Sequence, residues 1–243
     1  MVEPLTGANT VAMSRVAQRI AIDSRTTTGI SIDGVCPAVT ADERQRWESR
    51  YERTAFRSPE DPSPILEATL ESVEPGRALD IATGLGRNAR LLADHGWTVD
   101  AIDISRTALE RGRSRSAREQ RSDSSSINWI LADVDTYCFR ASRYDLITIS
   151  FFDARTRLSA ILEALAPGGV LVYEHYLHSS DAVPEDDSSN VDRKGGPSDQ
   201  YRFAPNELLE ACSPLRIRFY DERPIRGERR VVLVGERLES ASE

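Results

Sequence analysis

Lysine is almost missing from this chain of 243 residues: Lys194 is the only one, so nearly all positive charge is arginine. Basic charge is also outweighed, and the formal net charge is -8. That balance argues against a nucleic-acid binder driven by phosphate contacts. The arginines of "ERGRSRSAREQR" (110 to 121) alternate with polar residues, as on a solvated helix face. Cysteine is scarce: Cys36, Cys138 and Cys212 are far apart and odd in number. They provide neither a disulfide framework nor a metal-ligand spacing, so no metal is expected and the expected compartment is reducing cytoplasm. Long apolar runs are lacking. The opening "MVEPLTGANTVAMSRVAQRIAID" has no secretory core, and nothing approaches the length that crosses a bilayer. A Ser/His/Asp set and a reactive-cysteine signature are lacking as well.

What is present is a core-sized share of apolar residues, 40%, arranged in alternating strand and helix patterns. Residues 1–40 have no sustained periodicity and read as a mobile N-terminal extension. Order is expected from residue 41 onward. "TADERQRWESRYERTAF" is a helix that Thr40 can cap, and Trp47, Arg50 and Tyr51 lie close together on its surface. "SPILEATLESV" follows, with Ser63 as N-cap and Pro64 at the first helical position. Then come the strand "RALDIA", the helix "RNARLLADHG" closed by Gly96, the strand "TVDAIDI" and a helix capped by Ser105. The strands "INWILADV" and "YDLITISFF" follow, then the helix "TRLSAILEALA" stopped by Pro167-Gly168-Gly169, and the strand "VLVYEHY". Residues 177–203 are polar and rich in breakers, a loop that could serve as a mobile lid. Pro205 opens a short helix, and "LRIRFYDE" and "RRVVLVGER" form a terminal hairpin. This alternation implies an α/β fold, Rossmann-like, with a mostly parallel sheet, helices on both faces and an antiparallel strand from the hairpin.

A ligand of such a sheet sits beyond the carboxyl ends of the strands, beside the first one. There the sequence reads "DIATGLGRNA". Gly84, Gly86 and Ala89 fit G-x-G-x-x-G/A, a pattern that alone suits a dinucleotide. Two features favour a ligand without phosphate. Asp80 stands directly before the turn, where an anion repels a pyrophosphate and attracts an ammonium. Asp80, Asp103 and Asp133 also follow three successive strands, and so project along one edge. Their chemistry suits an ammonium, a ribose diol and an adenine amino group, in that order. Each has a plainer alternative: Asp80 could cap the next helix, and Asp135 could act in place of Asp133. Arg87 could meet a ligand carboxylate or pair with an acid of the protein. Asn88 could simply start its helix.

Through "WESRY", "ALDIATGLGRNA", "VDAIDIS", "LADVD", "YDLITIS", "LAPGGVLVYE" and "YRFAPNELLE", residues 41–243 resemble class I S-adenosylmethionine-dependent methyltransferases, and among them the small tellurite-resistance (TehB-like) type. The resemblance implies a seven-stranded sheet with the last strand antiparallel and S-adenosylmethionine as cofactor. It implies a cofactor loop at Asp80, Ala82, Thr83, Gly84 and Gly86, reaching Arg87 and Asn88. Ribose would meet Asp103 and Ile104, and adenine would meet Asp133 and the backbone of Val134. Trp47, Arg50 and Tyr51 would close over the cofactor, with Ser150 at its far end. One departure exists: the usual first glycine of the loop is Ala82.

Candidates for the acceptor side come from position. Ser150, Phe151, Phe152 and Asp153 follow the fourth strand, and Glu174, His175 and His178 follow the fifth. His175 could take a proton near neutral pH. The Asn/Asp-Pro-Pro-Tyr motif of amino-methylating nucleic-acid enzymes is replaced by "SFFD". The expected function is therefore methyl transfer to a small molecule, with neither nucleic acid nor membrane as partner. The alternative is a non-catalytic S-adenosylmethionine-binding or interaction protein of the same fold. A third reading, an NAD-dependent enzyme, is disfavoured by Asp80.

Overall fold

In the computed structural model, residues 41–53, 59–119, 126–178, 199–225 and 228–239 are described. The expected extension over residues 1–40, the cap at Thr40 and residues 179–198 of the proposed lid lie outside them. Seven strands form one sheet: β1 (Arg77–Ile81), β2 (Thr98–Asp103), β3 (Ile127–Leu131), β4 (Tyr144–Ser150), β5 (Leu165–Tyr176), β6 (Arg216–Ile225) and β7 (Glu228–Glu236). Their order is β3-β2-β1-β4-β5-β7-β6. The first five are parallel, and β7 runs antiparallel to both of its neighbours. Only residues 226 and 227 separate β6 from β7. So short a link can only turn the chain back, and the returning strand is the one that docks on β5.

Among the described residues six α-helices accompany the strands: α1 (Ala41–Glu52), α2 (Pro64–Leu70), α3 (Arg87–Asp94), α4 (Arg106–Glu119), α5 (Leu158–Ala164) and α6 (Glu207–Ala211). Strand residues alternate between two apolar layers. Leu79, Ile81, Ile147, Ile149 and Tyr173 join Ile161 of α5 and Leu208 of α6. Ala78, Val99, Leu146 and Val172 join Leu66 and Leu70 of α2 and Leu91 and Leu92 of α3. Each buried leucine or isoleucine contributes about 1.5–3 kcal/mol by leaving water.

Helix ends follow local chemistry. Ser105 Oγ accepts the Ala108 N–H at 3.1 Å and so starts α4. Gly96 closes α3: its N–H donates to the Ala93 carbonyl at 3.0 Å, and that of Trp97 donates to Leu92 at 3.0 Å. Two expected boundaries are corrected. Pro167-Gly168-Gly169 does not stop α5, which ends at Ala164 when Leu165 turns extended (φ -62, ψ 137). The Pro-Gly-Gly instead forms an irregular entry to β5, where the register against β4 shifts between Tyr144 and Leu146. Pro205 does not open α6, which begins at Glu207 after Asn206 at φ 65. At the near edge of the loop expected as a lid, Leu177 and Phe203 form a bridge and both are fully buried.

Candidate functional site

β1 sits centrally, with β2 on one side and β4 on the other, and the connections leave it in opposite directions. That reversal opens a crevice beyond the carboxyl ends of the strands. The turn after β1 fills its floor. Thr83 N–H donates to the Ile102 carbonyl at 3.0 Å and Gly86 N–H to Thr83 at 2.9 Å. Ala82, Gly84 and Gly86 all adopt positive φ: 53, 56 and 72. Ala82 thus takes the glycine-like conformation that its place in the motif demands, at about 1–2 kcal/mol of strain. We expect Ala82→Gly to raise stability by about 0.5–1 kcal/mol, since relief of strain exceeds the added flexibility of the unfolded chain. A denaturant melt showing a clear loss would contradict that left-handed turn.

The glycines serve the protein's own packing. A Cβ at Gly84 would stand 2.8 Å from the Tyr51 hydroxyl, so Tyr51 lies against the loop. A Cβ at Gly86 would stand 2.2 Å from the Trp129 indole. A side chain at Gly86 would therefore meet Trp129 of β3, so this glycine is required by packing within the protein.

Asp103, at the end of β2, is 5% exposed. Its Oδ2 accepts the Gly84 N–H at 2.8 Å and its Oδ1 the Ser105 N–H at 2.9 Å. Each oxygen keeps acceptor capacity. Burial pushes its carboxyl up to about 6, against the pull of those amides. Asp80 is buried at the end of β1. Its Oδ2 accepts the Thr83 hydroxyl and the Ala89 N–H, the latter at 3.1 Å. It therefore caps α3, the plainer of its two readings, and burial raises it to about 7. Asp133, two residues past β3, is buried, and its Oδ1 accepts the Asp135 N–H at 3.0 Å. The backbone ties the three corners together, with Ala132 N–H donating to the Asp103 carbonyl at 3.0 Å. Ile104 is half-buried beside Asp103, and Val134 is buried in the core layer of Leu79 and Ile81.

Glu48 of α1 was not anticipated. It accepts the Ser105 hydroxyl at 2.6 Å, the Thr107 hydroxyl at 2.6 Å and the Thr107 N–H at 3.1 Å. Burial acts to raise its carboxyl, but these bonds outweigh it and hold the group below its usual range. Glu48 is a long-range cap of α4, 57 residues from Ser105 in sequence. No local pattern could announce it. Glu48→Ala should cost about 1–2 kcal/mol, the loss of a cap, in a thermal or denaturant melt. Unchanged stability would mean that α1 does not dock there. On the same helix Trp47 and Tyr51 are 6.1 Å apart, Arg50 lies 5.1 Å over the Trp47 ring, and Arg111 of α4 donates to the Tyr51 carbonyl.

The ends of β4 and β5 form a second corner. Asn88 Nδ2 donates to Ser150 Oγ at 2.9 Å, and its Oδ1 accepts the Ser63 N–H at 3.0 Å. It acts as a helix-start residue bonded to the protein. Ser150 Oγ donates to Glu174 Oε1 at 2.9 Å. Arg87 also donates to Glu174 Oε1, at 2.9 Å, and to the Asp61 carbonyl at 2.7 Å. Its guanidinium is thus committed to an acid of the chain, the second of its two readings. Asp153 is bound through both oxygens by Arg155, at 2.9 and 2.7 Å. The Phe152 carbonyl accepts the Tyr173 hydroxyl at 2.7 Å.

His175 requires correction. It was expected to take a proton near neutral pH, yet it is 1% exposed, packed against Tyr173 and Phe203. Its Nδ1 accepts the Tyr176 N–H at 2.8 Å. Burial lowers the imidazole to about 4, so it is neutral at physiological pH.

The carboxylate row fits the cofactor that the resemblance implies. Asp103 and Asp133 keep acceptor capacity, the chemistry that a diol and an amino group would require. A methyltransferase domain model matches residues 78–169. That segment matches a methyltransferase domain, and the fold of the described residues is the one found in solved S-adenosylmethionine-dependent methyltransferases. It is 35% identical over 113 residues to a demethylmenaquinone methyltransferase of Clavibacter sepedonicus, covering 43% of this chain and 44% of that protein. It is 27% identical over 145 residues to a malonyl-[acyl-carrier protein] O-methyltransferase of Salmonella typhimurium, covering 58% and 53%. The chain thus spans about half, or less, of the length of these curated relatives. Among solved structures, TehB from Haemophilus influenzae superposes with a TM-score of 0.57 at 16% identity, over 80% of this chain and 66% of that one. A protein from echinomycin biosynthesis gives 0.61 at 20% identity, over 80% and 93%. Among the described residues no helix is long and apolar enough to cross a membrane, and no group of three or more His, Cys, Asp or Glu could hold a metal ion.

Proposed function

We propose that this protein transfers a methyl group from S-adenosylmethionine to a small-molecule acceptor by in-line displacement. The observation that carries this reading is Asp103: a buried carboxylate whose two oxygens are each held by one backbone N–H and still have capacity for a diol. When bound, the cofactor supplies a methyl group already activated by a positive sulfur. The chain's residues then have to orient and exclude water rather than do acid–base work. In this reading Asp103 holds the ribose, Asp133 and the Val134 backbone meet adenine, and Asp80 faces the ammonium while capping α3. Tyr51 and Trp47 close the cofactor side. The relatives are named for methylation of demethylmenaquinone and of a malonyl-[acyl-carrier protein], which supports methylation of small or carried acceptors in general.

A second reading, cofactor binding without catalysis, has one observation in its favour. Three of the candidate bases at the acceptor corner are committed: Asp153 to Arg155, Glu174 to Arg87, and His175 to a buried neutral state. A general base is needed only for an acceptor that arrives protonated. Methyl-labelled S-adenosylmethionine incubated with the protein and a metabolite extract separates the two. We expect label in a small organic product that Asp103→Ala greatly reduces. Cofactor binding with no transfer across extracts would favour the second reading.

A further inference from the structure

The acceptor corner gathers three arginines, Arg87, Arg202 and Arg230, around Phe151 and Tyr176. Phe151, at the end of β4, sits at φ 58, a conformation that is costly for a bulky side chain. Its N–H donates to the Glu174 carbonyl at 2.9 Å, which fixes the turn. The ring lies 4.9 Å from that of Tyr176 on β5. Arg230 of β7 is paired directly across from Tyr176. Its guanidinium stands 4.8 Å over Phe151 and 5.5 Å over Tyr176. Stacking of this kind leaves the in-plane N–H donors available. The Arg230 Nε–H is buried and has no hydrogen-bond partner.

The neighbouring acids are already taken. Glu174 is bound by Arg87, Glu228 by Arg202 at 3.2 Å, and Asp221 by Arg223 at 2.9 Å. Among the described residues no carboxylate pairs with Arg230. A buried donor without an acceptor costs free energy, and the strained backbone of Phe151 lies beside it.

We propose that Arg230 binds a carboxylate of the methyl acceptor, bidentate through its two terminal nitrogens, with the acceptor's planar or apolar body against Phe151 and Tyr176. A flat fork of donors selects a planar carboxylate. This rests on the methyltransferase reading, because that reading makes the corner an acceptor site. It assigns Arg230 to specificity, with no role in the cofactor half.

Benzoate is the probe, and benzamide its neutral isostere. Each is titrated calorimetrically into the full chain, with and without saturating S-adenosylhomocysteine. We expect benzoate to bind at on the order of millimolar and benzamide at least about tenfold more weakly. Arg230→Met should lose benzoate binding at least about tenfold, and Arg230→Lys, which keeps the charge without the fork, should fall between. S-adenosylhomocysteine affinity should stay within about twofold in both variants, which also reports that they fold. Equal binding of the two probes, or benzoate binding that survives Arg230→Met, overturns the assignment. If S-adenosylhomocysteine fails to bind the unmodified chain, the methyltransferase reading falls instead, and the benzoate series without it still decides Arg230.

Discussion

Asp103→Ala should weaken S-adenosylhomocysteine binding by tenfold or more, because a carboxylate accepting two hydroxyls loses charge-assisted bonds of about 1.5–3 kcal/mol each. The effect on folding should be smaller. Removing the side chain strips acceptors from the Gly84 and Ser105 amides, but it also removes a charge that burial disfavours. The two changes oppose one another. The same burial makes binding depend on pH in a definite direction. Asp103 titrates near 6 and Asp80 near 7 in the folded protein, and both near 3.9 when unfolded. The ligand-free fold therefore holds protons that the unfolded chain has released. The stability these groups contribute is complete below about pH 4 and is lost as pH rises through 6 and 7. A ligand that donates to both carboxylates favours their ionised forms. Its affinity should rise between pH 5 and pH 8, with release of protons. Calorimetry in two buffers of different ionisation enthalpy measures that release; a flat pH profile would mean that neither carboxylate meets the ligand.

Gly86→Ala should cost about 2–5 kcal/mol of stability, a large part of the 5–15 kcal/mol that a domain typically has. About 1–2 kcal/mol comes from a side chain at φ 72. About 1–3 kcal/mol comes from forcing a methyl group into the Trp129 ring, 2.2 Å away. The indole has little room to retreat, because Gly112 of α4 also lies against it: a Cβ there would be 2.8 Å from the ring. Combining the change with Trp129→Leu should recover the packing part and leave the backbone part. A double-mutant cycle would then show a coupling of about 1–3 kcal/mol. Additive losses would place the indole elsewhere.

The sheet could be read from residues because its signals are local. "RALDIA", "TVDAIDI" and "YDLITIS" are short apolar runs closed by glycine turns or helix caps, and each became a strand. The acids at the strand ends followed from the pleat. Two boundaries went astray where local rules compete with the sheet. Pro167-Gly168-Gly169 is a helix stop in isolation, yet β4 offered hydrogen bonds that drew the chain into β5 early. The partners in contacts between distant segments were not readable. Glu48 capping α4, Arg87 committed to Glu174 and Trp129 filling the space at Gly86 each join residues more than 40 positions apart. The environment of His175 shows the same limit. Its place after a strand end suggested an exposed base, while the packing of Phe203 from a later segment made it a core residue.

Side-by-side titration of the intact chain at pH 7.5 with S-adenosylhomocysteine and with NAD bears most directly on the role of Asp80, Asp103 and Asp133. A saturable isotherm for the first and none for the second is the expected pair of results. Tight binding of the dinucleotide, or indifference of S-adenosylhomocysteine to Asp103→Ala, would contradict it.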